Sequence, residues 1–546
     1  MPGKPTGKTL ALVILNFTLL ALLAVLPASA TGAKLYYGPW LIPANNSATE
    51  MFILVVTDKG VDDDFNHRRI HFTYDSDCPE PNWSYSHINI PTKLHRDRRL
   101  WKIQVTNLKP GRTYGYTFSY RTWSVDDWSS VAGTFYATKD ASPDNEVLEF
   151  IGLGDNKPCN DENIHNSEIV AYAVSKVNKG RTFLVHTGDI SYWGGQKLSE
   201  GLSDFWGGFL GNSWWQGILK RLPILTALGN HDFDTSTAAT DTENYRNYFP
   251  FPNAGHGVGD QYYFYVNGPA LFLSVDTFPM DGYCGDCDNL KPESSQYKWL
   301  ENTLEQFDTD PRQWKIVLMH APMYSPGGCN QKQAREYLEP LFEEHGVDLV
   351  LTGHEHYYCR KTVPTTAPQA RNASTTHLIL GGAGGGLSSW HQEQEKYFDK
   401  VVEAHHYAHF KIDKDVLEVT VIQPILHNSI ASDWWNYVEL DTIDHFYVDR
   451  TPSANFSYDQ PWHVFGKIWT DFYDQSRGHR YQYHWDFGDG NTSTAREPSH
   501  IYAHAGTYNV TLTIKSMWNQ SSITRPVKVT IPWVPPFLHH LLLTDK

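Results

Sequence analysis

Residues 182–192 read Thr-Phe-Leu-Val-His-Thr-Gly-Asp-Ile-Ser-Tyr. The first half is a short β-rich apolar run, which predicts a buried strand. The Gly188-Asp189 pair after it predicts a sharp turn. The same grammar recurs through the middle of the chain. Glu149-Phe-Ile-Gly-Leu runs into Gly154-Asp155-Asn156, Lys315-Ile-Val-Leu-Met into His320-Ala-Pro, and Asp348-Leu-Val-Leu into Gly353-His354-Glu355-His356. Gly229-Asn230-His231-Asp232 forms a further block, and His377-Leu-Ile-Leu a further apolar run. Between them, Ile164 to Val177 and Ser294 to Phe307 carry apolar residues at helical spacing. Strands alternating with helices predict a mixed α/β layered domain over residues 147–430.

In such domains loops converge on ligands at the carboxyl ends of strands, and glycine beside a ligand lets the backbone turn sharply. The blocks offer Asp155, Asp189, Tyr192, Asn230, His320, His354 and His356. Hard oxygens and imidazoles of this kind suit iron, zinc or manganese and not a soft thiolate metal. Seven donors exceed what one tetrahedral ion takes. They match two ions sharing a carboxylate, held ~3.5–4 Å apart as in two-metal hydrolases. A lone Asp after Gly is ordinarily a turn residue and a lone His ordinarily structural; the five blocks carry weight only as a set.

As a set they resemble the ligand signature of purple acid phosphatases, within the wider calcineurin-like metallophosphoesterases. The resemblance implies a central β-sandwich flanked by helices. It implies that Asp189 bridges two ions, that Asp155, Tyr192 and His356 complete one site, and that Asn230, His320 and His354 complete the other. Charge supports that division. A free tyrosine ionises near ~10, so phenolate ligation near neutral or acid pH calls for a strong Lewis acid such as ferric iron. The neutral amide and imidazoles of the other site suit a divalent ion: zinc, manganese or ferrous iron. The implied activity is hydrolysis of phosphate monoesters by an acid phosphatase, with metal-bound hydroxide as nucleophile and His231 contacting the phosphate or protonating the leaving group. Asn156 is a candidate phosphate contact, Asp232 a candidate orienter of a histidine, and Tyr357, Tyr358, His405 and His406 candidate pocket-lining residues. Plant-type relatives often carry further histidines after the His320 block. Here Met323 to Asn330 has none, so substrate contacts do not carry over from that loop.

Outward from this domain the chain turns all-β. Over residues 31–140, short runs such as Phe52-Ile-Leu-Val-Val and Leu100-Trp-Lys-Ile-Gln-Val alternate with turns. Leu108-Lys-Pro-Gly-Arg-Thr-Tyr-Gly-Tyr resembles a fibronectin type III segment, implying a small sandwich. Over 451–532, Trp485-Asp-Phe-Gly-Asp-Gly followed by His500-Ile-Tyr-Ala-His-Ala-Gly-Thr-Tyr-Asn-Val-Thr-Leu resembles a PKD domain, an immunoglobulin-like sandwich. Asp486 and Asp489 read there as turn formers, not catalysts. Such a domain implies contact with a glycan or protein.

Composition bounds the partners. The 546 residues are 40% hydrophobic and 19% charged, with a formal charge of −16. An acidic body of this kind argues against nucleic acid, whose phosphates need basic patches. Metal ions can supply positive field locally for a small phosphate ester. Residues 1–30 read as a signal peptide: Lys4 and Lys8, the apolar run Leu10 to Leu26, and the small-residue site Ala28-Ser29-Ala30. The mature chain is expected to be secreted, or delivered to the lumen of the secretory or lysosomal pathway, and to have no membrane span. In that compartment Cys78, Cys159, Cys284, Cys287, Cys329 and Cys359 are expected to form disulfides. Sequons at Asn45, Asn82, Asn372, Asn455, Asn491, Asn509 and Asn519 predict a glycoprotein. Two other activities fit the sequence: a phosphodiesterase acting on nucleotides or phospholipid headgroups, and an adhesion or glycan-binding protein with an inactive enzyme core.

Overall fold

The computed structural model describes residues 35–530 apart from 45–48, 59–67, 90–97, 122–127, 139–146, 157–160, 178–182, 191–212, 233–241, 252–261, 278–287, 309–313, 330, 366–373, 428–433, 465–466, 479, 481 and 517–518. The leader, Tyr192, Asn45, Asn372, Cys159, Cys284 and Cys287 thus lie outside the described residues.

Two antiparallel sheets open the chain. One holds Leu35–Pro43, Met51–Asp58, Arg98–Thr106 and Asn82–Asn89 in that order, the other Arg68–Thr73, Thr113–Tyr120 and Ser129–Tyr136. Period-2 patterning sets their faces: along Thr113–Tyr120 every second residue is buried. Ile53, Val55, Trp101, Ile103, Tyr114, Tyr116 and Phe118 fill the space between the sheets. The opposite face is not solvated. Trp40, Ile42 and Leu54 join the core of the following domain, and the Trp40 indole donates to the Tyr248 carbonyl at 3.0 Å.

The central domain is a sandwich of two mixed sheets. The first runs Ile224–Thr226, Phe183–His186, Val147–Leu153, Tyr407–Asp413, Val416–Leu426, Val438–Asp449. Its last strand lies beyond residue 430, so the sheet outlasts the expected boundary. The second runs Tyr263–Asn267, Ala270–Ser274, Trp314–Leu318, Leu349–Thr352, Ser374–Leu380, Tyr358–Pro364, Lys400–Val402. Between the sheets Phe150 stacks on Phe410 at 4.4 Å and on Phe183 at 5.5 Å. Truncating such a residue to Ala would cost about 3–5 kcal/mol.

Helices cover both outer faces. Val170, Val174, Trp215 and Leu219, from Asp161–Val177 and Ser213–Leu219, pack on Ile151, Leu153 and Leu184. Leu300, Leu304, Leu338 and Phe342, from Ser295–Gln306 and Lys332–His345, pack on Leu273, Val317 and Val350. Ser294 caps the third of these helices by accepting from the Tyr297 amide, and Gly346 ends the fourth at φ 67°. The predicted strands and helices of this domain are therefore present, with ends moved by a few residues.

Parallel pairing positions the chemistry. Phe183–His186 is parallel to both neighbours, with Leu153 and Thr226 level with His186. Ala270–Ser274, Trp314–Leu318, Leu349–Thr352 and Ser374–Leu380 are parallel in turn. Their carboxyl ends, and the loops that follow, open on one edge of the sandwich.

A third sandwich, all-β, follows, with sheets Phe456–Val464, Lys467–Asp474, Ser499–Tyr502 and Thr492–Ser493, Gln482–Asp486, Gly506–Lys515, Gln520–Val529 around Phe472, Trp485, Val510 and Leu512. Buried polar groups join it to the central domain. Arg450 Nε meets Asp348 Oδ1 at 2.6 Å, and the Asp415 carboxylate accepts from Ser516 Oγ at 2.8 Å and Asn519 Nδ2 at 2.6 Å.

The expectation of six paired cysteines is corrected here. Cys78 and Cys359 are free buried thiols. One sits in the first sandwich's core and the other in a separate cluster with Tyr357 and Ile379. Cys329 is disulfide-bonded. Among the described residues no helix is long and apolar enough to cross a membrane.

Candidate metal centre

Each ligand block follows a strand of the parallel edge, and three of its residues hold an unusual backbone. Asp155, Asp189 and His354 have φ of 60°, 55° and 69°. A non-glycine residue in the left-handed region costs about 1–2 kcal/mol and persists where surrounding structure overrides it, often at functional sites. The close packing of the loops shows the override. A Cβ on Gly229 would lie 2.1 Å from the Asp189 amide nitrogen and 2.2 Å from Asp189 Oδ1, so only glycine lets these two loops meet.

The side chains converge. His320 Nε2 lies 3.2 Å from Asp189 Oδ1, 3.1 Å from Asn230 Oδ1 and 4.0 Å from Asp155 Oδ1. His356 Nε2 lies 3.4 Å from Asp155 Oδ1, and His354 Nδ1 lies 3.1 Å from Asn230 Oδ1. Donor atoms of Asp189, His320 and His354 all fall within 4.8 Å of one another. The structure thus brings together six of the seven predicted ligands; the seventh, Tyr192, is outside the described residues.

Backbone carbonyls set the imidazole tautomers. His320 Nδ1 donates to the Thr187 carbonyl at 2.7 Å and His356 Nδ1 to the Gly386 carbonyl at 2.6 Å. When these rings are neutral, Nε2 carries the lone pair and faces the carboxylates, which is the arrangement a metal-ligating histidine needs. Sequence reading missed these carbonyls, since any residue can supply one.

The carboxylates themselves point to a cation. Asp155 and Asp189 are fully buried. Asp155 Oδ2 accepts the His354 amide at 2.9 Å, while Oδ1 is buried without a hydrogen-bond partner. Burying two carboxylates together is costly unless positive charge joins them. The ring nitrogens respond to that demand. Burial opposes charge on His320, yet Asp189 and Asp155 lift it to about 9. Burial likewise opposes ionisation of Asp155, but His320 and His356 hold its carboxyl below the usual range. An orphaned carboxylate oxygen, oriented imidazoles and a neutral amide fit a hard or borderline cation.

Other expectations change. Asn156 does not face a ligand: it is fully buried, with Nδ2 on Ser167 Oγ at 2.9 Å and Oδ1 on His186 Nε2 at 2.5 Å. Asp232 acts on the backbone. It accepts the amides of Asp189, Ile190 and Gly229 at 2.9–3.0 Å, clamping the two loops together. Tyr357 and Tyr358 are core residues, their hydroxyls on Ser325 and Asp444. His406 is buried and donates to the Ala404 carbonyl, while half-buried His405 bonds the Gly382 carbonyl. The His231 side chain is 21% exposed and its Nε2 lies 3.9 Å from Asp189 Oδ2. The histidine-free loop after His320 is held by a residue that sequence reading passed over. Glu355, between two ligands, accepts the Cys329 amide at 2.7 Å.

Comparison with known proteins agrees with this geometry. The calcineurin-like phosphoesterase family model matches residues 162–358 and the PKD domain model residues 466–531. Purple acid phosphatase 15 of Arabidopsis thaliana is 25% identical over 280 residues, 47% of this chain and 48% of that protein. A nucleotide pyrophosphatase/phosphodiesterase of Hordeum vulgare is 28% identical over 197 residues, 32% of this chain and 51% of that protein. The chain thus spans about half the length of these curated relatives. Purple acid phosphatase PPD1 from yellow lupin seeds superimposes with a TM-score of 0.57 at 17% identity, covering 75% of this chain and 74% of that one, which establishes a shared fold. The chain carries a calcineurin-like phosphoesterase domain with purple acid phosphatases among its homologues, and a PKD domain toward its C-terminus.

Proposed function

We propose that this protein hydrolyses phosphate monoesters as a secreted acid phosphatase. Asp155, Asp189, Tyr192, Asn230, His320, His354 and His356 would hold a ferric ion and a divalent ion, zinc, manganese or iron. The single observation behind this reading is the meeting of His320 Nε2 with Asp189, Asn230 and Asp155, three residues from three separate loops, within 4.0 Å. Such a pair supplies Lewis acidity when bound, activating water and neutralising charge on phosphoryl oxygens.

The chain's own groups do the rest. Thr187 and Gly386 carbonyls keep His320 and His356 in the ligating tautomer. Asp232 fixes the separation of the Asp189 and Asn230 loops. His231, at the mouth, hands a proton to the departing alcohol oxygen. Around the enzyme, exposed Asn82, Asn491 and Asn509 would carry glycans. Asn519 is exposed as well, and a glycan on its amide nitrogen would leave one N–H for Asp415. The PKD domain would serve contact with a glycan or protein.

The name of the barley relative favours a second reading, cleavage of phosphodiesters or pyrophosphates. Assay of the purified full chain on paired monoester and diester substrates across pH decides. Faster monoester release with an acid optimum is expected. Faster diester cleavage supports the second reading. Glycan binding without phosphate release supports an adhesion protein with an inactive core.

A further inference from the structure

Behind the ligand loops lies a chain of buried polar groups that the proposed chemistry does not use. Gly188 N–H donates to His186 Nδ1 at 3.2 Å. That nitrogen must then be unprotonated, so Nε2 carries the proton and donates to Asn156 Oδ1 at 2.5 Å. The orientation of the Asn156 amide follows: Nδ2 faces the other way and donates to Ser167 Oγ at 2.9 Å. The same oxygen accepts the Trp215 indole N–H at 2.9 Å. His186, Asn156 and Trp215 are fully buried and Ser167 is 1% exposed. From Gly188 to Ser167 each hydrogen bond fixes the polarity of the next, and Trp215 donates to Ser167 from the other side. A charged His186 would place Nδ1–H against the Gly188 N–H. Burial keeps the ring neutral, pushing its titration down to about 3.

The ends of this chain are well placed. Gly188 precedes Asp189, and Asn156 follows Asp155. Ser167 meets a third ligand loop: a Cβ on Gly384 would lie 2.7 Å from Ser167 Cβ, and Gly386, two residues on, holds His356. The far end is anchored in the helices Asp161–Val177 and Ser213–Leu219.

We propose that His186, Asn156, Ser167 and Trp215 form a buried hydrogen-bond relay, its donors converging on Ser167 Oγ, that positions the Asp155, Asp189 and His356 loops from behind, setting the spacing of the metal ligands. The proposal rests on the two-metal reading above. His186 is here a positioning residue; it touches no reacting atom. Outer partners of metal ligands typically change metal affinity or activity by about 10–100-fold.

The test uses the full-length chain loaded with metal and compares wild type with His186→Leu, His186→Gln and Trp215→Phe. Metal dissociation constants come from chelator competition, kcat and KM from p-nitrophenyl phosphate hydrolysis, and Tm from thermal melts. His186→Leu is expected to weaken metal binding and lower kcat by about 10–100-fold, with KM within about threefold of wild type. His186→Gln retains a donor toward Asn156 and is expected to recover most of that loss. Trp215→Phe, at the distal end, is expected to cost about twofold. A His186→Leu chain that melts lower but binds metal as wild type does overturns the relay. Should that variant fail to fold, Ser167→Ala replaces it, with about tenfold weaker metal binding expected and wild-type affinity as the refuting result. A wild-type chain that binds no metal and releases no phosphate contradicts the proposed function itself, which separates the two failures.

Discussion

The central domain and the PKD domain both present aspartates within two residues of glycine, and they use them in opposite ways. In the PKD domain Asp486 Oδ1 accepts the Gly488 amide, Asp489 Oδ1 accepts the Asn491 amide, and Asp489 Oδ2 pairs with His500 at 2.8 Å. Their partners lie within the same turn or, for His500, eleven residues on in the facing sheet, and both groups stay near the surface. In the central domain Asp155 and Asp189 are fully buried, and the atoms facing them come from residues up to about two hundred positions away in sequence, such as His354 on Asp155. The first pair closes turns. The second leaves an oxygen open toward imidazoles, which is how a protein prepares for a cation. A Gly-Asp dipeptide therefore says little until the strand before it and the distant groups opposite it are known.

The contrast breaks most visibly at Asp189. Asp189→Asn removes charge and keeps shape; it is expected to lower kcat/KM by about a thousandfold, near 4 kcal/mol, with loss of bound metal. Steady-state kinetics beside metal analysis checks this. Retained activity would place Asp189 with the turn aspartates. His231→Ala comes next, with kcat reduced about a hundredfold and metal content unchanged. It is expected to lose less on substrates whose alcohol leaves without protonation, which a leaving-group series measures.

Buried histidines give the next effect. Burial pushes the His406 imidazole down to about 4 and His186 to about 3. Both folded values lie below the unfolded value near ~6.5. The neutral rings therefore give full stability above that pH and lose it as pH falls toward 4. Each costs about 1.4 kcal/mol per pH unit across that window. Denaturant melts of the metal-loaded chain between neutral pH and about pH 5 are expected to slope accordingly, and His406→Phe to flatten the slope. Smallest of all, Asp489→Ala is expected to destabilise the PKD domain by about 1 kcal/mol and to leave kcat/KM untouched.

Much of this was readable from the chain. Apolar runs ending in Gly-Asp, Gly-Asn-His and Gly-His-Glu-His announced strand ends, and parallel pairing gathered those ends on one edge. What escaped the sequence depends on where neighbours come from. Asn156 reads as a ligand contact because it follows Asp155, yet its partners, Ser167 and His186, turn it inward. Asp232 reads as a histidine orienter, yet it also accepts three backbone amides, which no side-chain pattern reveals. Counting six cysteines predicts full pairing, but Cys78 and Cys359 are packed into different cores. Left-handed backbone at Asp155, Asp189 and His354 has no local signature beyond the adjacent glycines.

The most direct measurement is metal content of the purified full chain, taken with its visible absorption spectrum, against Asp189→Asn. Two ions per chain, with a phenolate-to-iron charge-transfer band that Tyr192→Phe abolishes, is the predicted result. A wild-type chain as poor in metal as the variant, while still releasing phosphate, would contradict it.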